Sequence, residues 1–153
     1  METLNVAAAI LIYENKILCA QRAGGKQEYI SYKYEFPGGK AEAGETWEKA
    51  LQRELMEEME LAVDIGHMKL FYDAKHEYPD FKVRIRFFIC PVESKQLHSK
   101  EHTTIRWVEK QELDKLDWME ANWPVIEKLK RTELKAYLPQ DSGYPAGQRI
   151  DKA

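Results

Sequence analysis

Three glutamates carry the most pointed chemistry in the chain. Glu54, Glu57 and Glu58 fall in a stretch, Thr46 to Met59, whose apolar spacing predicts a helix. At ~100° per residue their carboxylates share about 100° of arc on one helix face. Leu51, Leu55 and Met59 form a neighbouring apolar stripe that can anchor the helix to a sheet. Like charges one turn apart repel, at a few tenths of a kcal/mol per pair. A hard divalent cation would offset that repulsion, because Mg²⁺ prefers oxygen ligands and recruits carboxylates together with substrate phosphates. The helix alone is equally compatible with a solvated acidic face.

Other elements must hold these groups in place. Just upstream, Glu35-Phe-Pro-Gly-Gly-Lys40 contains a proline and two glycines, which oppose regular structure and allow close backbone approach. Thr46 is a suitable N-cap for the acidic helix. Val6–Ile12 is continuously apolar, Glu14-Asn15 marks a turn, and Lys16–Ala20 follows. Two strands are expected there, the first buried on both faces and so central in its sheet. The loop Ala23–Lys33 is polar; Tyr29, Tyr32 and the following Tyr34 either stack on a ligand or cover the sheet. Leu61 to Phe71 breaks at Gly66 and continues as extended chain towards His76. From Phe81 to Cys90 the pattern alternates, with Lys82, Arg84 and Arg86 on a solvated face. Thr103–Val108 predicts a strand, Glu109–Leu116 a short helix and Asn122–Tyr137 a longer one, with Trp118 an exposed aromatic. Strands before and after each helix imply an α/β fold, a mixed sheet with helices on its faces. Residues 1–138 form one domain, and 139–153, without periodicity, a flexible tail.

The segment from Gly39 to Leu61 matches the spacing G-x5-E-x7-R-E-U-x-E-E-x-G-U, where U is aliphatic. It resembles the Nudix hydrolase family, with Gly39, Glu45, Arg53, Glu54, Leu55, Glu57, Glu58 and Leu61 at matching positions. Glu60 departs from the pattern, where the family has glycine. A non-glycine residue in a left-handed helix exit costs ~1–2 kcal/mol, or the helix ends differently. The resemblance implies a Nudix α/β/α sandwich and hydrolysis of a nucleoside diphosphate linked to another group, with Mg²⁺ or Mn²⁺. It implies Glu54, Glu57 and Glu58 as metal ligands joined by the Gly38 carbonyl, with Arg53 orienting them. Glu45 is expected at a helix-terminus contact. Several members place a catalytic or metal-binding glutamate just ahead of a late strand, which makes Glu101 a candidate general base. His102 beside it reads as a structural or solvent-facing side chain.

The resemblance runs from about residue 5 to residue 132 and is closest to the MutT-like branch. That branch hydrolyses nucleoside triphosphates to monophosphate and pyrophosphate by attack at the β-phosphorus. Three stretches carry it: Gln21-Arg-Ala23, Tyr34-Glu-Phe-Pro-Gly-Gly-Lys40 and Ala121-Asn-Trp-Pro-Val-Ile-Glu-Lys-Leu-Lys130. It implies nucleotide contacts from Arg22, Glu35 and Phe36, with Lys40 either on phosphate or solvated. Asn122 either reads a base edge, its amide offering donor and acceptor, or caps the last helix. Asp80 and Phe81, in Tyr78-Pro-Asp-Phe81, are either pocket contacts or a plain turn. The implied substrate is a nucleoside triphosphate such as 8-oxo-dGTP, with CTP or a modified dCTP as the alternative. A non-catalytic nucleotide-binding module is a third reading, which the retained glutamates and Arg53 disfavour.

Composition bounds the remainder. The 153 residues suit one domain, and 26 acidic against 23 basic side chains leave a net charge of −3. That balance argues against a stable nucleic-acid partner, whose footprint is usually basic. Cys19 and Cys90 sit in apolar runs with no CxxC pair, so no disulfide or cysteine-bound zinc is expected. The Val6–Tyr13 run falls far short of the ~20 residues of a membrane span. Met1-Glu2-Thr3 has no cationic leader, so a cytoplasmic location is expected. Oligomeric state is not legible.

Overall fold

The apolar run near the start becomes the centre of a seven-stranded sheet in the computed structural model, which describes residues 2–138. The tail expected at 139–153 lies outside the described residues. In chain order the elements are β1 (Thr3–Tyr13), β2 (Lys16–Gln21), β3 (Tyr34–Glu35), β4 (Gly38–Lys40), α1 (Trp47–Met59), β5 (Lys69–Glu77), β6 (Lys82–Pro91), β7 (Thr104–Glu109) and α2 (Trp123–Arg131). Short 3₁₀ segments occupy Ile65–His67, Lys110–Lys115, Glu120–Asn122 and Leu134–Tyr137. The sheet runs β3-β2-β1-β6-β5, with β4 also on β1 and β7 also on β2. β1 and β6 pair in parallel and the other pairs are antiparallel, so the sheet is mixed as expected.

β1 reads as continuously apolar because each of its faces meets a core. Ala8, Ile10 and Ile12 join Phe36, Phe87, Trp118 and the α2 residues Val125, Ile126 and Leu129. Ala7, Ala9 and Leu11 join Leu51, Leu55 and Met59, the predicted stripe of α1. Alternation along the strand sends successive side chains to opposite faces. Small residues at 7 and 9 leave room for α1 to approach. One helix on each face makes an α/β/α sandwich.

Four local expectations are corrected. The glycine stretch is not wholly irregular: β4 pairs with β1 at Val6, Ala7 and Ala8. The last helix stops at Arg131, where Thr132 leaves the helical region and returns its hydroxyl to the Lys128 carbonyl at 2.6 Å. Trp118 is only 1% exposed, and its indole N–H donates to the Leu113 carbonyl at 2.7 Å. Arg84 and Arg86 both pair with Asp73 on β5 and lie over the Trp47 ring, 5.7 and 4.7 Å from its centroid. Those two arginines therefore brace the start of α1, and the face is not simply solvated. Cys19 and Cys90 are buried free thiols, each pushed up to about 12 by burial. No helix of the described residues is long and apolar enough to cross a membrane.

Candidate active site

α1 begins as its sequence requires, the Thr46 hydroxyl accepting the Lys49 N–H at 3.1 Å. Its apolar stripe is fully covered, which fixes the rotation of the helix and hence of its acidic face. At the far end Glu60 takes the left-handed conformation, φ 52° and ψ 36°, despite lacking the glycine of the family pattern. Its N–H reaches the Met56 carbonyl at 3.0 Å, and Leu61 N–H reaches Leu55 at 3.2 Å. The exit therefore has a left-handed geometry with an unfavourable residue in it.

The two glycines ahead of α1 do different work. A Cβ on Gly38 would fall 2.0 Å from the Ala7 carbonyl oxygen, so only glycine lets β4 lie this close to β1. A Cβ on Gly39 would fall 2.2 Å from the Glu54 carboxyl carbon. The missing side chain is the space that the Glu54 carboxylate fills.

Arg53 gathers the acids around it. Its guanidinium donates to Glu45 at 2.7 and 2.9 Å, to Glu54 at 2.9 Å, to Glu57 at 3.1 Å and to the Lys40 carbonyl at 3.0 Å. Glu45 thus meets Arg53 as well as the Glu42 N–H, and these hydrogen bonds, Arg53 first, hold its carboxyl down at about 2. Glu54 is mostly covered, Glu57 projects outward, and the Glu58 side chain is 1% exposed. Among the described residues no three His, Cys, Asp or Glu side chains converge on a point that could hold an ion. Arg53 draws Glu54 and Glu57 to itself, while Glu58 turns to partners on another loop.

That loop supplies residues that sequence reasoning missed. His102, expected to be structural or solvent-facing, has a side chain only 5% exposed and bridges two carboxylates. Its Nδ1 lies 2.8 Å from Glu58 Oε2 and its Nε2 lies 2.9 Å from Glu35 Oε2. Burial pulls the imidazole down, but its hydrogen bonds to Glu35 and Glu58 outweigh that and lift it to about 9. The Ser99 hydroxyl donates to the same Glu58 oxygen at 2.6 Å, and Lys100 N–H docks on the Glu58 carbonyl at 3.1 Å. Glu58 Oε1 is buried with no hydrogen-bond partner among the described residues. Glu101 follows in the same loop, its carboxyl raised by partial burial and by the Glu58 and Glu54 charges.

Two adjoining clefts lie beside this cluster. One, about 300 Å³, is lined by Arg22, Ala23–Gly25, Glu35, Glu101 and His102. The other, about 340 Å³, is mostly apolar, with Phe36, Tyr78, Phe81, Met119 and Asn122 in its wall. Arg22, Gln27, Ile30 and Glu35 line both. Arg22 pairs with Glu35 at 3.3 Å where the two meet. The fold therefore brings together Arg22, Glu35, Phe36, Phe81, Glu101 and Asn122. Asn122 is buried and makes no side-chain cap bond to α2, so its capping role is not observed. Its amide N–H instead reaches the Met119 carbonyl at 3.4 Å. Lys40 and Asp80 line neither cleft. Asp80 is instead held by Gln27 at 3.3 Å and by the Tyr29 hydroxyl, and Tyr29 stacks on Tyr78 at 5.8 Å. Tyr34 is buried against Trp118 and covers the sheet, while Tyr32 is exposed.

An acidic helix held against a glycine loop, with a cleft opening beside it on a sandwich fold, defines the class of the protein. The NUDIX domain family matches residues 3–129, and the chain belongs to that family of hydrolases. It is 36% identical over 132 residues to the 8-oxo-dGTP diphosphatase of Escherichia coli (strain K12), covering 86% of this chain and 99% of that one. To the CTP pyrophosphohydrolase of the same organism it is 30% identical over 143 residues, 92% of this chain and 100% of the relative. Among solved structures, that of the E. coli ORF135 protein in solution superposes with a TM-score of 0.73 at 27% identity, covering 92% of this chain and 96% of that one.

Proposed function

We propose that this Nudix hydrolase cleaves nucleoside triphosphates to monophosphate and pyrophosphate with Mg²⁺ or Mn²⁺, and that an oxidised purine such as 8-oxo-dGTP is its substrate. One observation carries the reading: the Glu58 carboxylate is buried with Oε1 unpartnered among the described residues, one helical turn from Glu54 and next to a cleft that adjoins the one lined by Asn122. A buried acceptor left without a donor costs about 1–3 kcal/mol, more when charged, and a cation is the partner that relieves it. The donor set is all oxygen, which suits a hard divalent ion.

Glu54, Glu57, Glu58 and the Gly38 carbonyl would hold that ion. When bound, it supplies neutralisation of phosphate charge and Lewis-acid polarisation. Arg53 donates to Glu54 and Glu57 and so fixes their direction. Glu101, in the lining of the cleft, accepts the proton of the attacking water. Arg22 and Glu35, joined as a pair, hold the nucleotide between the clefts, and Phe36 and Phe81 supply apolar wall to the base. Asn122 offers donor and acceptor to the base edge. Lys40 meets phosphate from the loop edge. Asp80 contributes through Tyr29 and Gln27, whose loop it secures.

The relative that hydrolyses CTP, aligned over its whole length, favours a second reading in which the base is cytosine. Measuring kcat/KM for dGTP, 8-oxo-dGTP, CTP and 5-methyl-dCTP with Mg²⁺ separates the two. A preference for 8-oxo-dGTP supports the first reading and a preference for a cytidine nucleotide supports the second. Absence of turnover across the panel overturns both.

A further inference from the structure

Glu58 is held from three directions by a loop more than forty residues away in sequence. Lys100 N–H bonds its main-chain carbonyl at 3.1 Å, and Ser99 Oγ and His102 Nδ1 converge on Oε2 at 2.6 and 2.8 Å. Ser99 Oγ also lies 2.9 Å from His102 Nδ1 and accepts the His102 N–H at 3.2 Å, so the two clamp residues fix each other. Both contacts fall on one carboxylate oxygen, and the other, Oε1, is buried and unpartnered among the described residues. A carboxylate with one oxygen tied and one free has its direction set. On its other side the same imidazole reaches Glu35 at 2.9 Å, and Glu35 pairs with Arg22 in the wall of both clefts.

We propose that Ser99 and His102 are positioning residues that aim Glu58 Oε1 at a divalent cation, and that His102 couples this carboxylate to the Arg22–Glu35 pair of the nucleotide cleft. The inference rests on the proposed metal-dependent function and deepens it. Partners that orient a metal-binding carboxylate are worth about 10–100-fold in metal affinity. The geometry also separates the two imidazole nitrogens. The side-chain amide of asparagine falls near Nδ1, which serves Glu58, while glutamine extends to the region of Nε2, which serves Glu35.

The test is Mn²⁺ binding to the intact chain, read from the paramagnetic resonance signal of the free ion, with thermal melting of every variant. His102→Ala and His102→Gln are expected to weaken Mn²⁺ binding by about 10–100-fold, and Ser99→Ala by less. His102→Asn is expected to stay within about 3-fold of the parent, because it retains the donor toward Glu58. A role in packing alone would instead favour the larger glutamine over asparagine. Glu35→Ala is expected to alter Mn²⁺ affinity by at least about 2-fold in the parent but not in His102→Ala, the signature of coupling through the imidazole. Equal Mn²⁺ affinity in the parent and His102→Ala overturns the proposal, as does better retention by glutamine than by asparagine. So does a Glu35 effect that survives His102→Ala. If Glu58→Gln binds Mn²⁺ as tightly as the parent, the metal reading itself fails and the clamp fails with it. If Glu58→Gln loses binding but His102→Ala does not, only the clamp is overturned.

Discussion

Replacing Glu60 with glycine should stabilise the fold without touching the candidate site. Glu60 holds φ 52° and ψ 36° at the exit of α1, is exposed, and offers only its backbone to the helix end. For a residue with a Cβ this conformation costs ~1–2 kcal/mol. Glycine removes that strain but loses more freedom on folding, which returns ~0.5–1 kcal/mol to the unfolded side. The difference leaves a gain of about 0.5–1 kcal/mol. Removing a negative charge from the C-terminal end of a helix adds a few tenths of a kcal/mol at low salt. For a chain of this length each kcal/mol moves Tm by about 2–4 °C, so a rise of about 2–5 °C is expected at low salt. Urea unfolding at pH 7 reads it as a higher midpoint with an unchanged slope. Glu60→Gln, which removes the charge and keeps the strain, serves as the control. In high salt the glycine variant should retain its advantage and the glutamine variant should match the parent. A glycine variant no more stable than the glutamine variant would refute the argument from backbone strain.

The remaining predictions concern the site and its ion pairs. Glu57→Gln should lower kcat by about 10²–10³-fold while moving KM much less, because charge held on the ion acts on the transition state. Steady-state kinetics with near-normal kcat would remove Glu57 from the ligand set. Asn122→Ala should flatten base preference by the ~1–3 kcal/mol that one bidentate contact provides, leaving poor substrates at their parental rates. Unchanged discrimination across the nucleotide panel would return Asn122 to a packing role. Glu45 titrates at about 2 in the fold against an ordinary 4.5, so its pairing with Arg53 stabilises fully above pH 4.5 and is lost as pH falls towards 2. The Tm difference between the parent and Glu45→Gln should therefore be constant above that window and shrink within it; a pH-independent difference would contradict the assignment.

How much of this was legible in advance depended on whether a feature was local. The run Val6–Ile12 announced a central strand because burial on both faces leaves no polar positions. Thr46, the stripe Leu51-Leu55-Met59 and the acidic face likewise specified α1 within a single turn-by-turn pattern. Non-local contacts were a different matter. β4 forms because Gly38 can press on Ala7, more than thirty residues earlier, and composition alone suggested only a loop. Trp118 was expected to be exposed, yet Phe36 and Tyr34, more than eighty residues earlier, pack against it. Ser99 carried no signal and His102 only that of a structural or solvent-facing side chain, since their meaning comes from Glu58 and Glu35 across the fold. Glu101, one residue away, was readable only through the family resemblance, while its neighbours in that loop were not. Asn122 shows the reverse: the local pattern favoured a cap, and tertiary structure turned its side chain to the wall of a cleft.

In the proposed function the carboxylates of α1 and the cleft beside them act together on a triphosphate. Product analysis with 8-oxo-dGTP and CTP, in the presence of Mg²⁺ and again after chelation, tests it most directly. Nucleoside monophosphate and pyrophosphate should appear in equal amounts with metal, and neither should appear after chelation or in Glu58→Gln. Release of orthophosphate, or undiminished turnover in the chelated protein, would contradict it.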